Sequence, residues 1–299
     1  MADQFDLVIV GGGPGGYAAA FYGASAGLSV ALVEKDTIGG TCLNRGCIPA
    51  KAFLETAAAR RHAEHANEFG IATVVGDTNF ATAQARKQKI VDGLVKGLTG
   101  LVKVKKVTYL LGVGSLNADN SVTVTAADGA VSRISGRNVV LAAGSVPRTF
   151  PGFEPGGPIM TSDEVLMLDR IPQRIAVIGG GAIGCEFAST FADLGAQVTI
   201  LEGLPKILPG LDADLANVVV RSFQKKKIDI KTGVAVKSHT PTGSGSTVVQ
   251  FGEGESIEVD AVIVSIGRRP FADQLNLGST KVKVSERGFV EVDEWCRTS

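Results

Sequence analysis

Apolar positions in this chain come in short continuous blocks, each closed by a glycine-rich break. Leu7-Val8-Ile9-Val10 and Ile175-Ala176-Val177-Ile178 are two such blocks, rich in β-branched side chains. A strand covered on both faces reads this way, because neither side of its pleat meets water. The stretches Tyr17 to Ala26 and Cys185 to Leu194 have the length and composition of helices, and Val30 to Glu34 and Val198 to Glu202 return to strand character. Further β-rich runs are expected at Val107 to Leu111, Ser121 to Ala126, Val139 to Ala143, Val234 to Lys237, Thr247 to Phe251 and Ala261 to Ile266. Helices are expected at about Lys51 to Asn67, Thr82 to Leu101 and Asp212 to Lys226.

The blocks repeat. Gly11, Gly13, Gly16, Gly27 and Glu34 recur as Gly179, Gly181, Gly184, Gly195 and Glu202, a constant offset of 168. Each copy reads strand, G-x-G-x-x-G, helix, strand, acid, with the acid 18 residues after the last glycine. A lone glycine pattern arises by chance. Two copies in this context carry the dinucleotide-binding fingerprint. The first glycine permits the tight turn, the second lets backbone approach a pyrophosphate at the helix N-terminus, and the third lets helix and strand pack closely. The acid accepts hydrogen bonds from a ribose diol, and Glu202 would repel a 2′-phosphate, favouring NAD over NADP; Lys206 nearby reads as a solvated loop lysine. Two sites suggest two dinucleotides, and a hydride carrier paired with a flavin is the usual chemical reason. Merely tight β–α turns of an α/β fold are the competing reading. The fold class expected is α/β, with two Rossmann-like FAD/NAD(P)-binding domains related by the repeat, each a three-layer arrangement of parallel sheet plus antiparallel β-meander. The prolines at 147, 151, 155 and 158 mark one boundary and Arg269-Pro270 a second. The domains expected are therefore 1–149, 150–270 and a remainder, 271–299.

Composition narrows the partners. Apolar residues make up 44% and charged residues 20%, an ordinary globular mix. Basic and acidic residues balance at 30 each, giving no reason to expect nucleic acid or an anionic membrane. No apolar run reaches the roughly 18 residues of a membrane helix. The start, MADQFDLVIVGGG, lacks a basic n-region and a cleavage site, so it does not read as a secretory signal. By default the expected location is cytoplasmic. Four cysteines in such a chain are not a structural disulfide framework.

Cys42 and Cys47 stand five positions apart, before a predicted helix, in GGTCLNRGCIPAK. A thiolate at a helix N-terminus is favoured by the dipole, and a cation one turn on, Lys51, adds to this; a dithiol–disulfide couple has these requirements. A metal pair and two incidental cysteines are the other readings. No second Cys/His pair of ligand spacing exists, since His62, His65 and His239 do not supply one, and no metal is expected. Cys185 reads as a small packing residue, and Cys296 has no assigned role.

With these residues in view, the chain resembles the class I pyridine nucleotide–disulfide oxidoreductases. GGGPGG, the Cys-x4-Cys run, AAGSVPR, GGGAIGCEFA and SIGRRP all match, over essentially the whole chain, and the Leu-Asn-Arg-Gly-Cys-Ile wording is nearest to the dihydrolipoamide dehydrogenases. One departure is Ala50, where that family usually has Ser. The resemblance implies FAD in the first domain, held by Gly11, Gly13, Pro14, Gly15, Gly16, Glu34, Lys35, Gly40, Thr41, Lys51, Ala143 and Gly144. It implies NAD in the second, held by Gly179, Gly181, Ile183, Gly184, Glu202 and Gly267. It implies Cys42 as the interchange thiol, Cys47 against the flavin, and Lys51 near the flavin N5, paired with Glu186. Electrons would then pass from dihydrolipoamide to a Cys42–Cys47 disulfide, to flavin, to NAD⁺. The implied partners are dihydrolipoamide, free or borne on a lipoyl domain, and components of a 2-oxoacid dehydrogenase complex.

That family continues into a second FAD-contacting segment and a C-terminal interface domain, which makes the homodimer and supplies a catalytic His; neither has a counterpart in this sequence. Reduced FAD affinity, weak dimerisation and low lipoamide turnover are the expectations that follow. The alternatives are a glutathione- or mercuric-type reductase using NADPH, a fragment that binds FAD and NAD without catalysis, and, less favoured because it does not need the cysteine pair, a soluble transhydrogenase.

Overall fold

The computed structural model describes residues 3–243 and 245–299. The strands are β1 (Asp3–Val10), β2 (Val30–Glu34), β3 (Thr108–Leu111), β4 (Val113–Leu116), β5 (Ser121–Thr125), β6 (Val131–Leu141), β7 (Ser145–Pro147), β8 (Ile159–Met160), β9 (Arg174–Ile178), β10 (Gln197–Glu202), β11 (Asp229–Thr232), β12 (Val236–Pro241), β13 (Thr247–Phe251), β14 (Glu255–Val259), β15 (Ala261–Val264) and β16 (Arg268–Pro270). The helices are α1 (Pro14–Ser25), α2 (Gly40–Arg45), α3 (Cys47–Glu64), α4 (Phe80–Val104), α5 (Ser162–Val165), α6 (Ala182–Asp193) and α7 (Ala213–Lys225). The described residues form two units: residues 3–48, 91–146 and 269–299, and residues 49–90, 147–243 and 245–268.

In the first unit one six-stranded sheet has the order β3-β2-β1-β6-β5-β4. The pairs from β3 to β6 are parallel, and the pairs from β6 to β4 antiparallel. The alternation of the pleat sorts the side chains of β1 into two cores. Ile9 joins Leu32, Ala20, Val91, Leu98 and Val102 on the helix face. Val8 and Val10 join Ala31, Val33, Val122, Val124 and Ile134 on the meander face. Burial of each such side chain stabilises by about 1.5–3 kcal/mol, which is why the runs carry no polar residue.

The second unit repeats the scheme with a parallel sheet, β11-β10-β9-β15-β8, and a separate antiparallel sheet, β12-β13-β14. Ile175 and Val177 face the helices with Phe187, Phe191 and Phe223. Ala176 and Ile178 face Val249, Phe251 and Val259 of the meander. The expected fold class, two α/β units of parallel sheet with antiparallel meander, is therefore the observed one. The segment 49–90, expected with the first domain, packs within the second unit. The reason is apolar: Phe53, Ala57, Phe80 and Ala83 belong to the core of Phe187 and Phe191, and Phe53 stacks on Phe80 with ring centroids 5.2 Å apart.

Candidate dinucleotide and dithiol sites

The two glycine turns have nearly the same construction. Gly13 and Gly181 cap α1 and α6 in extended conformation, with φ of −73° at both. Gly11 and Gly179 adopt φ of +110° and +104°, a region that side chains avoid. A Cβ on Gly16 would lie 1.7 Å from the Gly11 carbonyl oxygen, and one on Gly184 would lie 2.0 Å from that of Gly179. These glycines are demanded by the protein's own packing. Gly15 and Gly181 are different, because a Cβ there would meet no atom within 4 Å. Backbone bared to open space at a helix N-terminus is a cradle for an anion, with N–H groups and the dipole both favouring it. A dinucleotide pyrophosphate fits both turns on this test.

The acids do work that the sequence did not announce. Glu34 is buried, and its Oε2 accepts from the Gly12 N–H at 2.7 Å while Oε1 accepts from the Asp36 N–H at 2.9 Å. Glu202 repeats this with the N–H groups of Gly180 at 2.6 Å and Leu204 at 2.7 Å. Each acid thus ties its glycine turn to the end of the second strand. Every carboxylate oxygen keeps acceptor capacity for a ribose hydroxyl. The residue between the first two glycines is itself Gly in both copies because the space is taken: a Cβ on Gly12 would lie 2.9 Å from Glu34 Oε2, and one on Gly180 2.6 Å from Ile207 Cγ2.

At the far ends of β6 and β15, Gly144 and Gly267 have φ of +74° and +104°, are exposed, and have nothing within 4 Å of a Cβ. Ala143, half-buried, precedes the first of them, and Ile183 is half-buried in the first turn of α6. Ser265, not singled out by sequence, bridges the carbonyls of Ile178 and Gly179, 3.1 Å from each. Lys35 stands with its ammonium 3.8 Å from the ring centroid of Phe271, a cation–π contact. Lys206 is exposed and reaches the Leu211 carbonyl at 3.4 Å.

Cys42 and Thr41 are half-buried in α2, and Cys47, exposed, is the first residue of α3. The loop before α2 lies on the first glycine turn: the Gly39 N–H donates to the Gly12 carbonyl at 2.8 Å, and a Cβ on Gly40 would come within 2.5 Å of the Gly13 Cα. The segment that carries Cys42 is therefore built directly onto the first glycine turn. In the second unit Lys51 Nζ donates to Glu186 Oε1 at 2.5 Å, so the pair expected from the resemblance meets. Its side chains are 57% and 34% exposed, so solvent screens it and it contributes little to stability by itself. Cys185 is buried in the helix-side core, and its thiol is pushed up to about 12, by burial first and then by the charges of Glu202 and Glu186. It is an inert packing residue.

Among the described residues no group of three or more His, Cys, Asp or Glu is arranged to hold a metal, and no helix is long and apolar enough to cross a membrane.

Known proteins resemble this chain in sequence and in fold. The dihydrolipoyl dehydrogenases of Chlamydia pneumoniae and Bacillus subtilis are 38% and 37% identical over all of this chain and 64% and 65% of theirs. The crystal structure of LpdA from Mycobacterium tuberculosis superimposes with a TM-score of 0.92 at 27% identity, covering 99% of this chain and 65% of that one. The HOCl-induced flavoprotein disulfide reductase RclA from Escherichia coli gives 0.85 at 28% identity, over 98% and 63%. This chain thus spans about 64% of the length of the curated relatives it matches. The sequence pattern of pyridine nucleotide-disulphide oxidoreductases matches residues 5–299, and the chain belongs to that family.

Proposed function

We propose that this chain carries the two dinucleotide sites and the redox dithiol of a dihydrolipoamide dehydrogenase, with FAD on the turn Gly11–Gly16 and NAD on the turn Gly179–Gly184. The observation that carries the reading is the seating of the Cys42 loop on the first glycine turn, through Gly39 and Gly40. A dithiol placed there has one evident use, exchange of electrons with a dinucleotide held on that turn. Bound flavin would supply a two-electron carrier and bound nicotinamide a hydride acceptor. Gly13, Pro14, Gly15, Thr41, Ala143 and Gly144 would line the first cofactor, with Glu34 toward its ribose. Gly181, Ile183, Gly267 and Glu202 would line the second, and the charge on Glu202 favours NAD over NADP. Lys51 and Glu186 form a charged pair within the second unit.

The chain's own step is thiol exchange. One substrate thiolate attacks the Cys42 sulfur of a Cys42–Cys47 disulfide, the S–S bond breaks, and Cys47 leaves as thiolate. The second substrate thiolate then displaces Cys42, so the substrate departs as a cyclic disulfide and two cysteine thiols remain. Lipoyl groups of a 2-oxoacid dehydrogenase complex are the corresponding partners.

Anaerobic thiol counting tests this. The protein is loaded with FAD, treated with NADH, and quenched with an alkylating agent for mass spectrometry. The expected result is two new alkylated thiols per chain, at Cys42 and Cys47, with NADH acting better than NADPH. Bound FAD without new thiols would refute the redox assignment, and a preference for NADPH would favour a glutathione- or mercuric-type reductase.

A further inference from the structure

The segment between the two redox cysteines holds a side chain that this function leaves unused. Asn44, half-buried in α2, turns its amide back onto the loop that precedes the helix. Its Nδ2 donates to the carbonyl oxygens of Thr37 at 3.2 Å, Ile38 at 3.2 Å and Gly40 at 3.0 Å. The same loop rests on the dinucleotide turn, through the Gly39 N–H on the Gly12 carbonyl at 2.8 Å. The next residue, Arg45, pairs with Asp36, whose own N–H is held by Glu34 Oε1. Residues 36–40, the loop and the first residue of α2, are therefore gripped from both sides, by the glycine turn and its acid on one and by Asn44 and Arg45 on the other.

We propose that Asn44 is a positioning residue of the dithiol centre, fixing the helix that carries Cys42 against the Gly12–Gly13 turn so that occupancy of the turn and reactivity of the Cys42 thiol are coupled. This rests on the reading above, that Cys42 is the interchange thiol and the turn takes FAD. Three converging carbonyl oxygens need a donor. An ionised Asp at this position offers only acceptors and sets a negative charge against them, whereas a protonated Asp regains one O–H donor. A carboxylate facing carbonyl dipoles also takes up its proton at higher pH than usual. The order of the variants must therefore change with pH, which a general loss of packing does not produce.

The test uses the whole chain, as wild type, Asn44→Ala and Asn44→Asp. FAD affinity is read by flavin fluorescence at about pH 7.5 and about pH 5, conditions that bracket this protonation. Cys42 alkylation by iodoacetamide is followed by mass spectrometry with and without FAD. Asn44→Ala weakens FAD binding about tenfold at both pH values, as loss of these hydrogen bonds implies. Asn44→Asp is weaker than Asn44→Ala at the higher pH and equals or exceeds it at the lower. FAD slows Cys42 alkylation severalfold in wild type, and this protection is lost in Asn44→Ala. Hydrogen exchange on wild type alone gives a second readout, in which the amides of residues 37–43 gain protection when FAD binds. The inference is overturned if wild type binds FAD while Asn44→Ala matches it in affinity and protection, if the two variants keep the same order at both pH values, or if the 37–43 amides ignore FAD. A wild type that binds no FAD overturns instead the functional reading beneath it, and this inference with it.

Discussion

Replacing Gly184 by alanine and, separately, Gly181 by alanine divides packing from binding within a single turn. The methyl group at 184 would lie 2.0 Å from the Gly179 carbonyl oxygen, 2.6 Å from Ser265 Oγ and 3.1 Å from Val177 Cγ1. Ordinary contact begins at about 3.5 Å, so the carbonyl must retreat by about 1.5 Å. It cannot do so freely, because it belongs to the residue that follows β9 and accepts from Ser265. Overpacking of this kind costs about 3 kcal/mol or more. The better helix propensity of alanine offsets about 1 kcal/mol of it. A net loss of about 2–3 kcal/mol lowers the melting temperature of a domain of this size by roughly 5–10 °C. The methyl group at 181 meets no protein atom within 4 Å. Its cost to folding is about 0.5–1 kcal/mol, from the weaker N-cap. If the pyrophosphate passes there, NADH affinity falls at least about tenfold, or about 1.4 kcal/mol. Thermal melts followed by circular dichroism and NADH titrations followed by fluorescence read the two quantities independently. A Gly184→Ala chain that melts with wild type would refute the packing role, and a Gly181→Ala chain that binds NADH as tightly as wild type does would refute the binding role.

Three further outcomes are expected. Cys185 resists iodoacetamide at mildly alkaline pH in the folded chain, because its thiol is held near 12, and becomes reactive in denaturant; labelling of Cys185 under native conditions, read by mass spectrometry, would contradict its burial. Asp193→Asn removes the carboxylate set between Arg61 and Lys226, with Lys226 Nζ 2.7 Å away and the Asp193 side chain only 7% exposed. It leaves two cations facing each other and lowers stability by about 3 kcal/mol in urea unfolding, and a loss below about 1 kcal/mol would show the pair to be incidental. Asp119 is held down at about 2, below its ordinary 3.8, by the Ser121 hydroxyl and N–H and then by Arg133. A depressed carboxyl contributes stability that is complete above about 3.8 and lost as pH falls toward about 2, so urea midpoints of wild type and Asp119→Asn should converge across that window. A constant gap between them from neutral pH down to pH ~2 would remove the basis for this assignment.

Much of this architecture was legible because both units bury their central strands on two faces. Short, mostly apolar runs exposed β1, β2, β9, β10 and β15, and the repeat then located the turns. Helices began earlier than expected, α1 at Pro14 rather than Tyr17 and α6 at Ala182 rather than Cys185, because the final glycines of each turn already lie inside the helix. α3 likewise starts at Cys47, since Pro49 in a first turn forfeits no hydrogen bond. β14, Glu-Ser-Ile-Glu-Val, escaped notice because one of its faces is in water. α2 did too, since six residues opening on a glycine carry no periodicity. Backbone partners stay silent in a sequence: the grip of Asn44 on three carbonyls, the tie from Glu34 to Gly12 and the bridge by Ser265 all depend on atoms that every residue possesses. The placement of 49–90 with the second unit was hidden for a related reason, since Phe53 and Phe80 show that they are buried but not which sheet buries them.

The double tie made by Glu34, and again by Glu202, has a consequence for how such a protein can be rebuilt. Within a βαβ stretch of about thirty residues the acid at the end of the second strand holds an amide of its own turn, and partners from further along the chain, Ser265 on the second turn and Gly39 on the first, complete the shape. The acid is therefore part of the mould. Transplanting the glycines without it would carry over the letters of the motif and leave the mould behind.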